Sequence, residues 1–260
     1  MESVKYHEVD HVAVLTLNEP DSMNALSPTV LESMNDHLGK ALNDLSVRAI
    51  VLTGTGKAFC AGGDVRLMQN PESRKAPTIH SRMEKHHNWA RTLVNGNKPV
   101  IAAVNGAAVG AGLGLALLAD LIFASRDAYF MSGFSKIGAL PDLRTLQSLP
   151  WAIGSLRAKE MIMLNRRYTG EEAAAIGLAN RCCEPEKLME ETLAAARQIA
   201  AGPAPMMAMT KKLMNRAFES SVEAFFEREA LGQTVTFGSD AFAEGVDAFL
   251  NKRKADFVGK

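Results

Sequence analysis

Hydrophobic and polar positions alternate near the start of the chain, and this pattern predicts a β-hairpin within the first 17 residues. The segments VKYHEV and HVAVLTLN alternate or run through β-branched residues, with Asp10 between them. Ser27 and Pro28 then have the order of a helix N-cap followed by a first-turn proline, which predicts a helix to about Leu45. One side of that helix carries the apolar residues Val30, Leu31, Met34, Leu38, Ala41 and Leu42.

Three short apolar runs further along predict buried strands. They are RAIVLTG at 48–54, KPVIAAV at 98–104 and LIFAS at 121–125. Strands that alternate with helices imply right-handed crossovers and sheets buried on both faces. Residues 65–80 have no apolar period and predict a mobile surface loop, whereas the chain from about Trp151 onward has apolar residues at helical spacing. The pattern therefore predicts an α/β body followed by a helical tail.

The charge balance narrows the range of partners. Lys and Arg together number 29, as do Asp and Glu, so the formal net charge of the 260 residues is zero. This removes the electrostatic case for nucleic acid or an anionic membrane as the main partner, although a local basic patch is compatible with a neutral total. The polar N-terminus lacks the apolar core of a secretory signal, and no apolar stretch reaches the length of a membrane span.

The cysteines and histidines carry little chemistry of their own. Cys60 and the adjacent Cys182 and Cys183 form an odd set that fits no disulfide framework, so we expect a reducing, cytoplasmic setting. All six histidines lie at or before His87, and no acid or cysteine sits at ligand spacing from the adjacent pair His86 and His87. We expect neither a metal nor a separate cofactor.

Two glycine-bearing segments, LTGTGKAFCAGGDV at 52–65 and VNGAAVGAGLG at 104–114, invite comparison with phosphate-binding loops. A Walker A loop around Gly56-Lys57 requires glycine at position 51 and Ser or Thr at 58, where the chain has Val51 and Ala58. A dinucleotide fingerprint beginning at Gly110 requires glycine at 115, where the chain has Leu115. The sequence therefore predicts no phosphate loop at either place.

Both segments do share a strand, small residues and a turn into a helix. Such turns leave backbone N–H groups unpaired, and small side chains allow a ligand close to the backbone. Two amides that converge from separate turns would form an oxyanion hole. The alternative is that the glycines only permit tight packing between strand and helix.

The pair of motifs resembles the crotonase family, the enoyl-CoA hydratase/isomerase superfamily. AFCAGGDV is followed some 40 residues later by KPVIAAVNGAAVGAGLGLALLAD. NEPDSMNALS matches the family's opening turn, and FSKIGALPDL and RAKEMIMLNRRYTGEEAAAIGLAN match its next landmarks. The resemblance extends from about residue 4 to residue 250, in the family's order and spacing.

This resemblance implies a spiral of ββα units, with a core at 1–200 and a helical C-terminal segment at 201–260 that builds trimers or hexamers. The implied partner is an acyl-CoA thioester, whose CoA moiety is part of the substrate. The implied oxyanion donors are the backbone N–H groups of Ala61 and Ala111. The residues implied to bind CoA are Met23, Ala25, Ala61, Gly62, Gly63 and Asp64.

The family's reaction depends on carboxylates that face the oxyanion hole. The two glutamates of the hydratases match Gly114 and Phe134, so hydration by the usual route is in doubt. Asp142 falls where some isomerases carry a single acid, and one base suffices to move a double bond from the 3,4 to the 2,3 position. We therefore predict a Δ3,Δ2-enoyl-CoA isomerase with Asp142 as its base, and an acyl pocket at Gly114, Phe134 and Leu140.

Several alternatives remain open at this stage. Asp142 precedes an apolar helix and is also a candidate N-cap, although apolar neighbours (Phe134, Leu140, Leu143 and Trp151) would raise its pKa. The chain could instead be an atypical hydratase, a thioester hydrolase or a non-catalytic acyl-CoA binding protein.

Four further residues have simpler expected roles. Asp64 caps its helix or faces CoA, Asp120 makes a structural hydrogen bond and Cys60 belongs to the core. Arg144 replaces a glycine common in the family's turn, where it would alter the acyl tunnel or contact solvent.

Overall fold

Ten strands form two sheets in the computed structural model, which describes residues 2–260 apart from the side chain of Met68. In chain order the strands are β1 (Val4–Val9), β2 (Val12–Leu17), β3 (Ala49–Gly54), β4 (Ala58–Cys60), β5 (Val100–Val104), β6 (Ala107–Val109), β7 (Leu121–Ser125), β8 (Tyr129–Met131), β9 (Tyr168–Thr169) and β10 (Arg181–Cys183). The larger sheet has the order β1-β2-β3-β5-β7-β10, and the smaller has the order β4-β6-β8-β9. The hairpin and the three predicted inner strands are confirmed.

Parallel pairing dominates both sheets. β1 and β2 are antiparallel, in register from Val4 opposite Leu17, while β2, β3, β5, β7 and β10 pair in parallel. In the smaller sheet β4, β6 and β8 are parallel and β9 closes the edge in the antiparallel direction. Because β4 and β6 lie side by side, the residues that follow them emerge at the same edge.

The helices cover both faces of the larger sheet. In chain order they are α1 (Pro28–Asn43), α2 (Ala76–Asn95), α3 (Ala111–Leu117), α4 (Thr145–Ile153), α5 (Ser155–Met163), α6 (Gly170–Ala175), α7 (Leu188–Ala200), α8 (Ala204–Met214), α9 (Val222–Phe237) and α10 (Asp240–Leu250). Along β2, Ala13 and Leu15 point into one apolar core while Val12 and Val14 point into another, which α7 closes. The expected burial of the sheet on both faces is confirmed.

The first helix begins as the sequence predicts. The Ser27 hydroxyl accepts a hydrogen bond from the Val30 amide at 3.2 Å, and Pro28 occupies the first turn. The helix ends at Asn43, two residues before the predicted end at Leu45.

The prediction of a surface loop over residues 65–80 is wrong for the second half of that segment. Short 3-10 turns occupy 67–69 and 71–74, and α2 begins at Ala76. The buried side chains of α2 are His86, Trp89, Ala90 and Leu93, all beyond the segment in which apolar residues were sought. The first two turns of α2 lie outside the core and therefore carry no apolar signal.

The helical tail is interrupted by two short strands that the sequence pattern did not predict. β9 has two residues and pairs with β8, and β10 has three residues and pairs with β7. Runs this short are below the length at which alternation is detectable. None of the helices within 2–260 is long and apolar enough to cross a membrane.

A buried ion pair attaches α8 to the sheet. One Asp120 carboxylate oxygen accepts hydrogen bonds from the Val100 amide and the Lys211 ammonium group, each at 2.7 Å. The Lys211 side chain is only 3% exposed. Burial raises the pKa of Asp120 and lowers that of Lys211, and each charge opposes the shift of its partner. The structural role expected for Asp120 is therefore confirmed.

Candidate active site

The two glycine-bearing turns meet at the edge formed by β4 and β6. A Cβ atom on Gly62 would lie 2.8 Å from the Val109 carbonyl oxygen and 3.3 Å from the Ala111 nitrogen. Gly62 has a φ of +102° and Gly110 a φ of +59°, which side-chain-bearing residues rarely adopt. The glycines therefore permit both the backbone conformation and the close approach of one turn to the other.

The backbone amides of the first turn differ in their hydrogen bonds. The Ala61 N–H donates to the Met23 carbonyl oxygen at 3.0 Å, and the Gly62 amide interacts with the Cys60 thiol and opposes the rise in the pKa of that thiol. Within residues 2–260, the Gly63 amide has no hydrogen-bond acceptor. The assignment of Ala61 as the first oxyanion donor is thus wrong in this structure, because its amide already binds a protein carbonyl.

The second turn supplies another free amide. Ala111 is the first residue of α3, where helix geometry provides no partner for the N–H group, and none is found in the described part of the chain. Gly62 lies against this amide, so Gly63 and Ala111 belong to the same small region of backbone. These two amides are the candidate donors to an oxyanion.

The residues implied to bind CoA form a continuous surface beside these turns. The Leu26 amide donates to the Gly62 carbonyl oxygen at 2.8 Å, so the segment 23–26 runs alongside residues 61–64. The Met23 side chain is exposed, whereas Ala25 is buried and contributes backbone only. Asp64 binds the Arg66 guanidinium, which lowers the pKa of Asp64. Asp64 therefore stabilises the turn in which it lies, and its contact with CoA stays a prediction.

The Asp142 carboxylate does not cap the following helix. The Thr145 amide donates to the backbone carbonyl of Asp142 at 2.9 Å, and Arg144 occupies the N-cap position without a side-chain hydrogen bond to the helix. One carboxylate oxygen of Asp142 is buried and has no hydrogen-bond partner among the described residues. The N-cap alternative is therefore wrong, and a buried carboxylate oxygen remains available for chemistry.

Burial raises the pKa of Asp142 to about 6. Its own backbone amide and the Arg82 guanidinium on α2 oppose the shift. The charge of Asp142 also contributes, after burial, to the raised pKa of the Cys60 thiol, which places this carboxylate near the first turn. An acid with a pKa near 6 is suited to take up and return a proton at neutral pH.

The position that matches the first hydratase glutamate has no room for a side chain. A Cβ atom on Gly114 would lie 2.8 Å from the Leu143 Cβ and 2.9 Å from the Thr145 hydroxyl. Phe134, at the position of the second glutamate, is buried, and its ring lies 3.9 Å from the site of a Cβ on Gly110. Both positions therefore present apolar or filled surfaces next to the oxyanion turns.

Two of the expected apolar neighbours of Asp142 do not enclose it. Leu140 is 76% exposed, and Trp151 packs on Phe218 with a centroid distance of 5.1 Å. The space beside Gly114 is occupied by the Leu143 side chain, so Gly114 lines no open pocket. Of the three residues assigned to the acyl pocket, Gly114 and Phe134 lie buried beside the turns, whereas Leu140 is exposed.

Comparison with known proteins decides the ancestry of this site. The family model described as enoyl-CoA hydratase/isomerase matches residues 7–260. The chain belongs to this family, the crotonase superfamily. An enoyl-CoA hydratase of mitochondria from Pongo abelii is 37% identical over 246 residues, covering 95% of this chain and 83% of that protein. The 1,2-epoxyphenylacetyl-CoA isomerase of Escherichia coli K12 is 33% identical over 261 residues, covering 100% of both chains.

Solved structures agree with the family assignment. A crystal structure of an enoyl-CoA hydratase/isomerase from Cupriavidus metallidurans CH34 has a TM-score of 0.94 at 28% identity, covering 100% of this chain and 97% of that one. The mixed α/β fold with its helical C-terminal segment is therefore the crotonase fold, as the sequence predicts.

Helix α2 brings Arg82, which the sequence did not single out, near this crotonase site. Arg82 interacts electrostatically with Asp142, and His86 follows one turn later on the same side of α2. His86 is buried, its Nδ1 atom has no partner among the described residues, and burial lowers its pKa to about 4. The imidazole is therefore neutral at neutral pH. The helical spacing of His86, Trp89 and Leu93 was the available signal for α2.

Proposed function

We propose that this acyl-CoA enzyme is a Δ3,Δ2-enoyl-CoA isomerase in which Asp142 is the single base. Membership of the family makes the chain an enoyl-CoA hydratase/isomerase-type enzyme, and the proposal concerns the reaction within that class. The observation that carries it is the closed position at Gly114, where a hydratase carboxylate would have to stand. With that position filled and Phe134 at the other, Asp142 is the acid near these turns whose buried carboxylate oxygen has no partner among the described residues.

The proposed reaction needs one proton acceptor and one oxyanion site. The ionised Asp142 removes a proton from C2 of a 3-enoyl thioester, and the electron pair of that C–H bond delocalises into a dienolate. The negative charge then lies on the thioester oxygen. The protonated Asp142 returns the proton to C4, and the double bond forms between C2 and C3. The carboxylate is regenerated, so no further acid or base is consumed.

The oxyanion would accept hydrogen bonds from the Gly63 and Ala111 amides. Backbone donors aimed at a developing negative charge stabilise a transition state by about 3–4 kcal/mol each. Since both turns are fixed by glycine conformations and by the contact between Gly62 and Ala111, these donors need little reorganisation during the reaction. The apolar ring of Phe134 beside Gly110 helps to exclude water, which protects the dienolate from other proton donors.

Relatives support two versions of the chemistry. The mitochondrial protein of Pongo abelii is named a hydratase, which favours addition of water to a 2-enoyl thioester as the alternative function. The Escherichia coli protein is named an isomerase of 1,2-epoxyphenylacetyl-CoA, which favours an isomerisation without net addition of water. The position of Gly114, which has no room for a side chain, supports the second version.

The test is a comparison of turnover on 3-enoyl-CoA and 2-enoyl-CoA thioesters of equal chain length. We expect rapid conversion of the 3-enoyl thioester and little hydration of the 2-enoyl thioester. Asp142→Asn should lower the isomerisation rate by at least about 100-fold, because general acid–base catalysis contributes about 10²–10⁴-fold. Asp127→Asn is the matched control, since Asp127 is exposed and belongs to neither turn.

Three results would contradict the proposal. Faster hydration of the 2-enoyl thioester would establish the hydratase alternative. Unchanged turnover in Asp142→Asn would remove Asp142 from the mechanism, and the absence of turnover on any acyl-CoA, with binding retained, would favour a non-catalytic binding protein.

We also propose that CoA lies along Met23, Ala25 and residues 61–64, and that the chain assembles into trimers or hexamers. The C-terminal helices support the second point, because α9 and α10 expose several large apolar side chains (Phe226, Leu231, Val235, Phe237 and Phe249). Light scattering after size-exclusion chromatography should give a mass of three or six chains, whereas the mass of one chain would contradict the assembly.

A further inference from the structure

A cavity apart from the oxyanion turns lies between α2, the start of α4 and the C-terminal segment from the end of α8 to α9. Its volume is about 520 Å³, which falls in the range of small-molecule sites in proteins. The Asp142 carboxylate does not line it, but the next residue, Leu143, does. The cavity is therefore adjacent to the segment that carries Asp142 and Leu143, and it is separate from the proposed oxyanion site.

The lining of this cavity is strongly basic, although the whole chain is neutral. Four guanidinium groups line it, together with the imidazole of His87 and a single carboxylate, that of Glu219. The arginines are Arg91, Arg144, Arg216 and Arg228. A concave surface with such an imbalance of charge attracts anions.

Most of this positive charge has no anionic partner. Glu219 lies 3.9 Å from Arg144 and accepts a hydrogen bond from Gln147 at 2.9 Å. Arg91 donates to the neutral Asn88 amide and Arg228 to the neutral Ser220 hydroxyl. Within 2–260 the structure gives Arg216 no ion pair. One carboxylate thus faces four permanent cations.

Arg144 occupies a backbone position that favours glycine. Its φ is +64°, and Leu143 before it has a φ of +50°, so two consecutive side-chain-bearing residues are left-handed. The Arg144 guanidinium is nevertheless well held: it donates to the Asn215 carbonyl oxygen at 3.0 Å and stacks over the Trp151 ring at 4.8 Å. Backbone conformations of this sparsely populated kind cluster at functional sites.

The lining of the cavity also includes apolar side chains. They belong to Ala90, Val94, Leu118 and Leu143. Such a surface suits a molecule with an apolar body and an anionic end. The planar fork of arginine matches the two oxygens of a carboxylate.

We propose that this cavity binds a small organic carboxylate, with Arg144 and Arg216 as contacts to its anionic group. Two kinds of molecule carry such a carboxylate. One is a free aliphatic acid, and the other is an acyl chain attached to CoA that ends in a distal carboxylate. Binding at this site does not depend on the isomerase reaction and is tested independently of it.

The first experiment is a calorimetric titration of the full chain with hexanoate, and with hexanol as the uncharged analogue. We expect hexanoate to bind and hexanol not to bind. Arg144→Gly and Arg216→Ala should each weaken hexanoate binding by about tenfold, as the loss of one charge-assisted hydrogen bond implies. Arg157→Ala, an exposed arginine on α5 outside the cavity, should leave binding within twofold of the original, which is about 0.4 kcal/mol.

The variants are chosen so that misfolding does not imitate the result. Glycine accepts the left-handed backbone at 144, and Arg216 is exposed and makes no ion pair, so both variants should unfold cooperatively near the temperature of the original chain. Failure of hexanoate to bind the original chain, or equal affinity in all three variants, would overturn the proposal.

A second titration distinguishes the two sources. If the acyl chain supplies the carboxylate, adipoyl-CoA binds more tightly than hexanoyl-CoA, and Arg144→Gly removes that difference. If a free acid is the ligand, the two thioesters bind equally and hexanoate still binds the chain saturated with either. Tighter binding of adipoyl-CoA that survives both Arg144→Gly and Arg216→Ala would contradict the first source.

Discussion

A Cβ atom on Gly62 would lie 3.3 Å from the backbone nitrogen of Ala111, so two turns that are 49 residues apart in the chain approach each other closely here. A side chain at position 62 would enter the space of the Val109 carbonyl oxygen. The contact brings the free amides of Gly63 and Ala111 into one region, while the neighbouring amides of Ala61 and Gly62 are engaged within the protein. The proposed oxyanion site is therefore a property of backbone geometry.

Removing the Gly63 N–H group should abolish most of the activity. Gly63→Pro lacks this donor, and we expect kcat to fall by about 10²–10³-fold, as for other oxyanion donors. Gly63→Ala keeps the N–H group and is the matched control. Steady-state kinetics with a 3-enoyl-CoA thioester checks the result, with circular dichroism to confirm folding. An equal loss of kcat in both variants would show that distortion of the backbone, and not the missing N–H group, causes the effect.

The activity should increase with pH through the pKa of Asp142. The ionised carboxylate is the proton acceptor, and burial holds its pKa at about 6, so kcat/KM should rise up to and through pH 6 and level off above it. Arg82 lowers this pKa, so Arg82→Met should move the midpoint to higher pH, while Arg157→Met should not. A rate that decreases as pH rises through 6 would contradict the assignment.

Restoring a side chain at position 114 should destabilise the protein without restoring hydration. Gly114→Ala places a Cβ 2.8 Å from Leu143, and overpacking of this kind costs about 1–3 kcal/mol of unfolding free energy. Gly114→Glu should lower the free energy of unfolding further than Gly114→Ala, and it should not hydrate 2-enoyl-CoA. Gly39→Ala, in open space on α1, should instead stabilise by up to about 1 kcal/mol. Urea unfolding checks all three, and hydration by Gly114→Glu would show that the position can open.

The buried pair of Asp120 and Lys211 should show strong coupling. Asp120→Ala leaves the buried Lys211 cation without its anion, which costs about 3–5 kcal/mol of stability. Adding Lys211→Met should recover part of this loss because no uncompensated charge remains. A double-mutant cycle from urea unfolding measures the coupling, and strictly additive losses would show that the pair is independent.

Much of the fold follows from the sequence because its signals are local. Ser27 and Pro28 fix the start of α1, and the apolar runs of β3, β5 and β7 coincide with buried strands. The strands β9 and β10 escape detection because two or three residues carry no period, and the first turns of α2 because they lie outside the core.

The site is harder to read because its decisive features are relationships between distant backbone atoms. The choice between Ala61 and Gly63 as a donor depends on whether Met23 supplies a carbonyl, which no spacing reveals. Likewise, the sequence alone allows Asp142 to be either a helix cap or a catalytic base, and the structure excludes the cap. The exposed Leu140 shows that an apolar residue close in sequence need not be close in the site.

The most direct test of the single-acid mechanism is a crystal structure of the chain with a saturated acyl-CoA bound. We predict that the thioester oxygen lies about 2.7–3.1 Å from the nitrogens of both Gly63 and Ala111. The Asp142 carboxylate should lie on the face of C2 and C4, within reach of both carbons. A thioester oxygen bound elsewhere, or an Asp142 carboxylate turned away from the acyl chain, would contradict the account.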